Sequence, residues 1–246
     1  MQHNKATDIQ IGNSQLNFKK GLKDGLPIGL GYLSVSIAFG VQASMASIPL
    51  FMSVFISMSN LTSAGQLAGL TVIAALGTFW EMILTQLVIN ARYFLMGVTL
   101  SQKLDGSFNF RHRLLSAAFI TDEIFAVAVS NKGLINKKYY YGLVILPYFG
   151  WALGTLIGAA AGSVLPIQIT NALGIGLYAM FIAIIIPPSI KVKGVFPAVL
   201  FAAAISCTFY FIPALSGVST GISIIISAVV SATLTSLIFP LKKEDE

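Results

Sequence analysis

Four ionisable side chains interrupt stretches that are otherwise apolar: Glu81, Arg92, Asp122 and Glu123. The remaining charged residues lie in the two tails or in short segments between apolar runs. An ionisable group at bilayer depth is costly, so it usually pairs with another group, carries protons or contacts a substrate. These four residues are therefore the first candidates for function. A helix-locking ion pair without any functional role is the alternative.

Arg92 requires an acidic partner, and the adjacent carboxylates Asp122 and Glu123 are the available choices. Glu81 lies roughly 16 Å away along the same predicted helix, near the outer end of its span, where we expect it to be solvated; a role in the site is the alternative. Adjacent helical residues point about 100° apart. One carboxylate beside Thr121 would therefore pair with Arg92, while the other faces a cavity or reaches the inner membrane interface. The raised pKa of an unpaired buried carboxylate would suit proton coupling.

Small and hydroxylated residues fill the segment Ser59–Gly69, which predicts a break in the helix. Broken helices in transporters offer free backbone groups and helix ends to the charged ends of a substrate. Close helix packing is an equal alternative, because Gly65 and Gly69 form a small-xxx-small pattern. The candidate substrate-binding residues are Ser59, Asn60, Ser63, Ala64, Gly65, Gln66 and, on the following helix, Asn90.

The composition places the chain in a membrane. Of its 246 residues, 56% are hydrophobic and 10% are charged, whereas soluble domains carry about 25% charged residues. The formal net charge of +6 comes from lysines and arginines beside apolar spans, where the positive-inside rule explains them and nucleic-acid binding is not expected. The single cysteine allows no internal disulfide. Because His3 and His112 lie outside the spans, the sequence also predicts no metal site and no cofactor.

The predicted fold is an all-α polytopic membrane protein, since about 20 apolar residues span a bilayer as helix. Two further apolar segments, 49–77 and 114–130, are interrupted by polar residues and are predicted to be broken or re-entrant. Residues 1–24 form a polar tail, residues 25–240 a single transporter domain and residues 241–246 a charged tail. The six predicted full spans are Leu26–Ala46, Phe79–Ser101, Tyr140–Gly162, Ile169–Pro187, Val195–Ile212 and Gly221–Phe239.

The basic residues also predict the topology. If every apolar stretch crossed once, the basic segments could not all face the cytoplasm. They do so if segment 49–77 enters and leaves from outside and segment 114–130 enters and leaves from inside, with both termini cytoplasmic. Paired short crossings would satisfy the charges equally well. Glycines at four-residue spacing in Gly21–Gly29 and Gly154–Gly162 predict close helix packing, with partner helices that the pattern does not identify.

Several motifs resemble the AzlC family, the large subunit of branched-chain amino acid exporters. The resemblance runs from Gly21 to the last span and is most specific before Gly162. The matching patterns are Pro27-Ile28, Gly31, Phe39-Gly40, Met58-Ser59, Ser63-Ala64-Gly65-Gln66, Asn90-Ala91-Arg92, Leu95-Met96-Gly97, Thr121-Asp122-Glu123, Phe125, Trp151, Gly154-Thr155 and Gly158.

The resemblance implies a transporter of the bacterial inner membrane that exports valine, leucine, isoleucine and their analogues. It also implies a small hydrophobic AzlD-like partner, besides the surrounding membrane lipid. The chain departs from the family at Ser34, Ser36 and Gly176, so the identity of the substrate stays open. The coupling ion and the oligomeric state are open as well. A membrane-embedded enzyme acting on a lipid-borne substrate, and a channel or scaffold subunit, are the alternative functions.

Overall fold

A computed structural model describes residues 16–240 except residues 132, 163 and 216, so most of the predicted N-terminal tail and the whole C-terminal tail lie outside it. The described residues form helices and no β-strand, which confirms the all-α polytopic fold. The helices are α1 (Phe18–Met45), α2 (Leu50–Ser59), α3 (Ser63–Ala74), α4 (Phe79–Lys103), α5 (Phe110–Ala117), α6 (Asp122–Ser130), α7 (Lys137–Ala161), α8 (Ile167–Lys191), α9 (Val195–Phe211) and, after a 3-10 turn at Pro213–Leu215, α10 (Thr220–Ile238).

The long helices correspond to the predicted spans. In the described part of the chain, α1, α4, α7 and α10 are each long and apolar enough to cross a bilayer. The helices α8 and α9, of 25 and 17 residues, correspond to the other two predicted spans. The two interrupted segments correspond to the short helices α2 with α3 and α5 with α6.

The chain divides into two compact units. The first comprises Met1–Thr62 and Ala91–Gly174, and the second comprises Ser63–Asn90 and Ile175–Glu246. The core of the first unit is formed by fully buried residues of α6 and α7, including Ile124, Tyr139, Tyr140 and Leu143. In the second unit, α9 buries none of its described residues and α10 buries Gly221, Ser227, Ser231 and Thr235.

The first helix begins inside the predicted polar tail. Asn17 caps α1, since its side chain accepts a hydrogen bond from the Lys20 amide at 2.9 Å, a standard helix-start contact. Gly21 and Gly25 are already buried against α7. Residues 18–24 are therefore helical and packed, although their polar composition predicted a tail.

The two predicted glycine runs lie on one pair of helices, and each run packs against a different stretch of the opposite helix. A Cβ atom at Gly25 would collide with the Leu143 carbonyl, and one at Gly158 would collide with the Ile37 carbonyl. The contacts advance in the same direction along both helices, from Gly21 with Tyr139 to Gly40 with Thr155. The helices α1 and α7 are therefore parallel and in backbone contact, which identifies the partner that the sequence pattern left open.

The first interrupted segment breaks inside the predicted stretch Ser59–Gly69, but over fewer residues. The helix α2 ends at Ser59, residues 60–62 are not helical, and α3 begins at Ser63. Gly65 and Gly69 are therefore buried inside a helix rather than in the predicted break. A Cβ atom at Gly69 would lie 3.2 Å from the Gln86 amide nitrogen. The small residues of α3 thus serve helix packing, while the break is limited to three residues.

The second interrupted segment is re-entrant. Its helices have 8 and 9 residues, about 12 to 14 Å each, which is half of a bilayer core of about 30 Å. The end of α4 lies beside the end of α6, because the Lys103 ammonium donates to the Asn131 carbonyl at 2.7 Å. The turn of the segment lies at Thr121, which contacts Tyr32 midway along α1.

The same contacts orient α4. The Asp105 amide donates to the Ile135 carbonyl just before α7, and Tyr139 near the start of α7 donates to Asp24 in the first turns of α1. The end of α4 thus lies where α1 begins. Within the first unit, α4 from Ala91 to its end therefore runs antiparallel to α1, which agrees with the topology that the charge distribution predicted.

Candidate functional site

Arg92 and Asp122 form an ion pair in the first unit. The Arg92 Nη1 atom lies 3.0 Å from Asp122 Oδ1 and 2.9 Å from Oδ2, and the side chains are 42% and 37% exposed. Arg92 Nη2 also donates to the Tyr93 hydroxyl at 3.2 Å. The pair therefore joins α4 to the start of α6, where its exposure would allow water or a substrate to approach it.

The sequence around Asp122 is a helix-start signal. Thr121 is the N-cap of α6, and its hydroxyl accepts from the Ile124 amide at 3.2 Å. Asp122 and Glu123 occupy the first turn, where the partial positive charge of the helix end favours carboxylates. The run Thr-Asp-Glu therefore places two acids at the tip of the re-entrant segment.

Tyr32 on α1 meets this tip. Its hydroxyl lies 2.6 Å from Thr121 Oγ1 and 2.5 Å from Glu123 Oε2. Its ring packs edge-on against Trp151 of α7, with ring centroids 5.0 Å apart, and the residue is only 8% exposed. Sequence reasoning did not select Tyr32. The available signal was a tyrosine in the middle of an apolar span, because a buried tyrosine hydroxyl usually has a partner.

Two of the predicted substrate-binding residues, Ser59 and Asn60, lie in the first unit at the end of α2. Ser59 is exposed, and its hydroxyl donates to the Phe55 carbonyl of its own helix at 2.7 Å. Asn60 is half-buried and ends α2, where its amide donates to the Ile56 carbonyl.

The predicted residues of the second unit form a polar network between α3 and α4. Gly65 and Gln66 are buried, while Ser63 and Ala64 beside them are half-buried. The Gln86 amide donates to the Gly65 carbonyl at 2.8 Å, and the Asn90 amide donates to Gln86 Oε1 at 2.9 Å. The structure therefore connects Gly65 and Asn90 through Gln86, a residue that the candidate site did not include.

The carbonyl oxygen of Asn90 is the open end of this network. Asn90 Oδ1 is buried and has no hydrogen-bond partner among the described residues. A buried acceptor without a partner is uncommon and calls for an explanation such as a water or a ligand donor.

Glu81 is not solvated, which corrects the expectation for this residue. It is 6% exposed, and its Oε1 atom accepts from the Gly221 amide at 2.7 Å. A Cβ atom at Gly221 would collide with the Glu81 carboxylate. The Glu81 carboxylate therefore lies against the start of α10, a favourable position for a negative charge.

Among the described residues, no group of three or more His, Cys, Asp or Glu is placed to hold a metal ion.

The apolar helices and the polar groups placed within them define a polytopic membrane protein. The AzlC protein family matches residues 27–165, a range that covers most of α1 and all of α2 to α7, with both interrupted segments. The chain belongs to the AzlC family.

Two relatives share most of their length with this chain. It is 30% identical to the inner membrane protein YgaZ of Escherichia coli strain K12, over 83% of this chain and 87% of the relative. It is also 30% identical to an uncharacterized membrane protein of Archaeoglobus fulgidus, over 69% of this chain and 75% of that protein. No solved structure matches the chain.

Proposed function

We propose that this protein exports branched-chain amino acids and their analogues from the bacterial cytoplasm in exchange for protons, with a small AzlD-like subunit as partner. Membership of the AzlC family supports the proposal. The relative from Escherichia coli is named an inner membrane protein, which supports the same location for this chain. The distribution of basic residues supports cytoplasmic termini.

The observation that carries the proposal is the buried Asn90 Oδ1 atom at the end of the α3–α4 network. The ammonium group of an amino acid would donate to this oxygen. The substrate carboxylate would bind at the start of α3, which carries a partial positive charge. Leu67, half-buried one turn into α3, would contact an aliphatic side chain.

The coupling proton would bind at the start of α6. Asp122 and Glu123 are the two carboxylates there, and both lie at the tip of a segment that reaches half-way into the bilayer. An acid in this position would take up a proton from one side and release it to the other as the transporter changes conformation.

Efflux of labelled leucine from cells that lack their own exporters tests the proposal. We expect efflux from cells that express the chain with an AzlD-like subunit, and a rise in KM of roughly ten-fold or more in Asn90→Leu, because a hydrogen bond to a charged group is lost. Thr99→Ala is the matched control, since this exposed α4 hydroxyl donates only to the Leu95 carbonyl of its own helix. The absence of valine, leucine and isoleucine efflux from wild-type cells would refute the substrate assignment.

A further inference from the structure

We infer that Glu123, rather than Asp122, carries the coupling proton, and that Tyr32 is the residue that positions it. The inference rests on the proposed proton coupling and deepens it by separating the two adjacent acids. Nothing in the sequence distinguished them.

The two carboxylates have different partners. Asp122 is paired with the Arg92 guanidinium, at 2.9 Å between Nη1 and Oδ2, so protonation of Asp122 would disrupt an ion pair. Glu123 is bonded to the neutral Tyr32 hydroxyl at 2.5 Å, and no Lys or Arg in the described part of the chain lies within 4 Å of it. A carboxyl group whose partner is a hydroxyl can gain or lose a proton without breaking an ion pair.

The Tyr32 hydroxyl suits both protonation states of Glu123. A phenol is both a donor and an acceptor, whereas an ionised carboxylate only accepts. When Glu123 is ionised, Tyr32 donates its single hydrogen to Oε2 and the Thr121 hydroxyl donates to the Tyr32 oxygen. When Glu123 is protonated, the carboxylic O–H donates to the Tyr32 oxygen, and Tyr32 donates to Thr121. The two states differ by one proton on Glu123, and the buried Tyr32 hydroxyl has hydrogen-bond partners in both.

This arrangement also links the proton to the helices. Hydrogen bonds that involve an ionised group are roughly twice as strong as neutral ones. Protonation of Glu123 would therefore weaken the contact that holds the tip of the re-entrant segment on α1. The proton would release the start of α6 from the middle of α1, which is the kind of step that couples proton binding to a conformational change.

The surroundings contain few other groups that titrate. Asp122 precedes Glu123 on α6, and α4 contributes Arg92 and Tyr93 near the pair. From α7, the groups are Trp151, which packs on Tyr32 but does not titrate, and the tyrosines Tyr139 and Tyr140, whose hydroxyls donate to Asp24 and to the Ser116 carbonyl.

Infrared difference spectroscopy of the purified chain in lipid, between near-neutral and basic pH, where exposed carboxyl groups stay ionised, tests the inference without a substrate. A protonated carboxylic acid has a carbonyl stretch that an ionised carboxylate lacks. We expect such a band in the wild type, its loss in Glu123→Gln and its retention in Asp122→Asn. The Glu123→Gln variant keeps a side-chain amide that can bond to Tyr32, so it should remain folded. Glu81→Gln removes the buried acid of the second unit and should retain the band.

Tyr32→Phe tests the positioning role. The ring and its packing on Trp151 are kept, so we expect the band to persist but to move to higher wavenumber, because the carboxyl group loses its phenol partner. Tyr148→Phe is the control, since that hydroxyl donates to the Met58 carbonyl and the band should not move. A purely structural tyrosine would leave the band position unchanged.

Four results would overturn the inference or one of its parts. A band that disappears in Asp122→Asn and stays in Glu123→Gln would assign the proton to Asp122. A band that disappears only in Glu81→Gln would assign it to the second unit. No band in the wild type would exclude a titrating carboxyl group, and an unshifted band in Tyr32→Phe would exclude the positioning role. Absence of leucine efflux from a protein that shows the expected band would refute the substrate and not the proton site.

Discussion

The exposure of the Arg92–Asp122 ion pair allows a test of whether its role is functional or structural. Both side chains are about two-fifths exposed, and in the proposed transporter this exposed part faces a water-filled cavity, where an ion pair contributes at most about 1 kcal/mol to stability. We expect Arg92→Ala to change the thermal unfolding of the purified protein very little while it strongly reduces leucine efflux. A large drop in melting temperature together with normal efflux would instead favour the helix-locking role.

For Glu81 we expect the opposite, namely a clear loss of stability on substitution. Its carboxylate is buried against the Gly221 amide at the start of α10, so Glu81→Ala removes the acceptor and should destabilise the protein by about 1–3 kcal/mol. Glu81→Gln keeps an oxygen acceptor and loses only the charge at the helix end, so its loss should be about 1 kcal/mol or less. Thermal unfolding of both variants checks the order. A Gln variant with wild-type stability but no transport would assign Glu81 to the site.

The residue types revealed part of this chemistry, and distance along the chain concealed the rest. Arg92, Asp122 and Glu123 were recognisable because each is charged within an apolar stretch. Tyr32 was not, since its partners Thr121 and Glu123 are about ninety positions later and only the fold brings them together. Glu81 was expected to be solvated because it lies near the end of its span, but the start of α10 covers it.

Helix packing gives the sharpest test at the level of elements. A Cβ atom at Gly158 would meet the Ile37 backbone, whereas one at Gly31, on the same packed pair of helices, would have nothing within 4 Å. We expect Gly158→Ala to destabilise the protein by about 1–3 kcal/mol, because overpacking forces the helices apart. Gly31→Ala should be neutral or stabilising, since alanine favours a helix by about 1 kcal/mol over glycine. Equal melting temperatures for the two variants would contradict direct backbone contact between α1 and α7.

Local sequence signals located one interruption better than the other. The run that begins at Thr121 contains an N-cap and two acids, so the start of α6 could be recognised from residue chemistry alone. In Ser59–Gly69 the weak helix formers suggested a long break, yet Gly65 and Gly69 are helical because their small size lets α3 pack beside Gln86. Propensity is a weak guide where tertiary contacts decide.

For the whole molecule, the contacts within the first unit and the distribution of charge agree on one topology. Contacts fix that α4 ends where α1 begins and that segment 114–130 enters and leaves at that same end. Most of these contacts do not involve the basic residues whose distribution predicted the topology, so the two arguments are largely independent. Charge adds a prediction that the contacts do not make, namely which end faces the cytoplasm.

Labelling of single cysteines in intact cells would test that assignment. In a Cys207→Ser background, Gly106→Cys and Ser47→Cys both replace exposed residues, one just after α4 and one just after α1. An added side chain at Gly106 meets nothing within 4 Å, and serine and cysteine are nearly equal in size at position 47. A membrane-impermeant maleimide should label the Ser47→Cys variant in intact cells and the Gly106→Cys variant only after permeabilisation. Labelling of both positions from outside would contradict the antiparallel course of α1 and α4, whereas the reverse pattern would keep the fold and invert its orientation in the membrane.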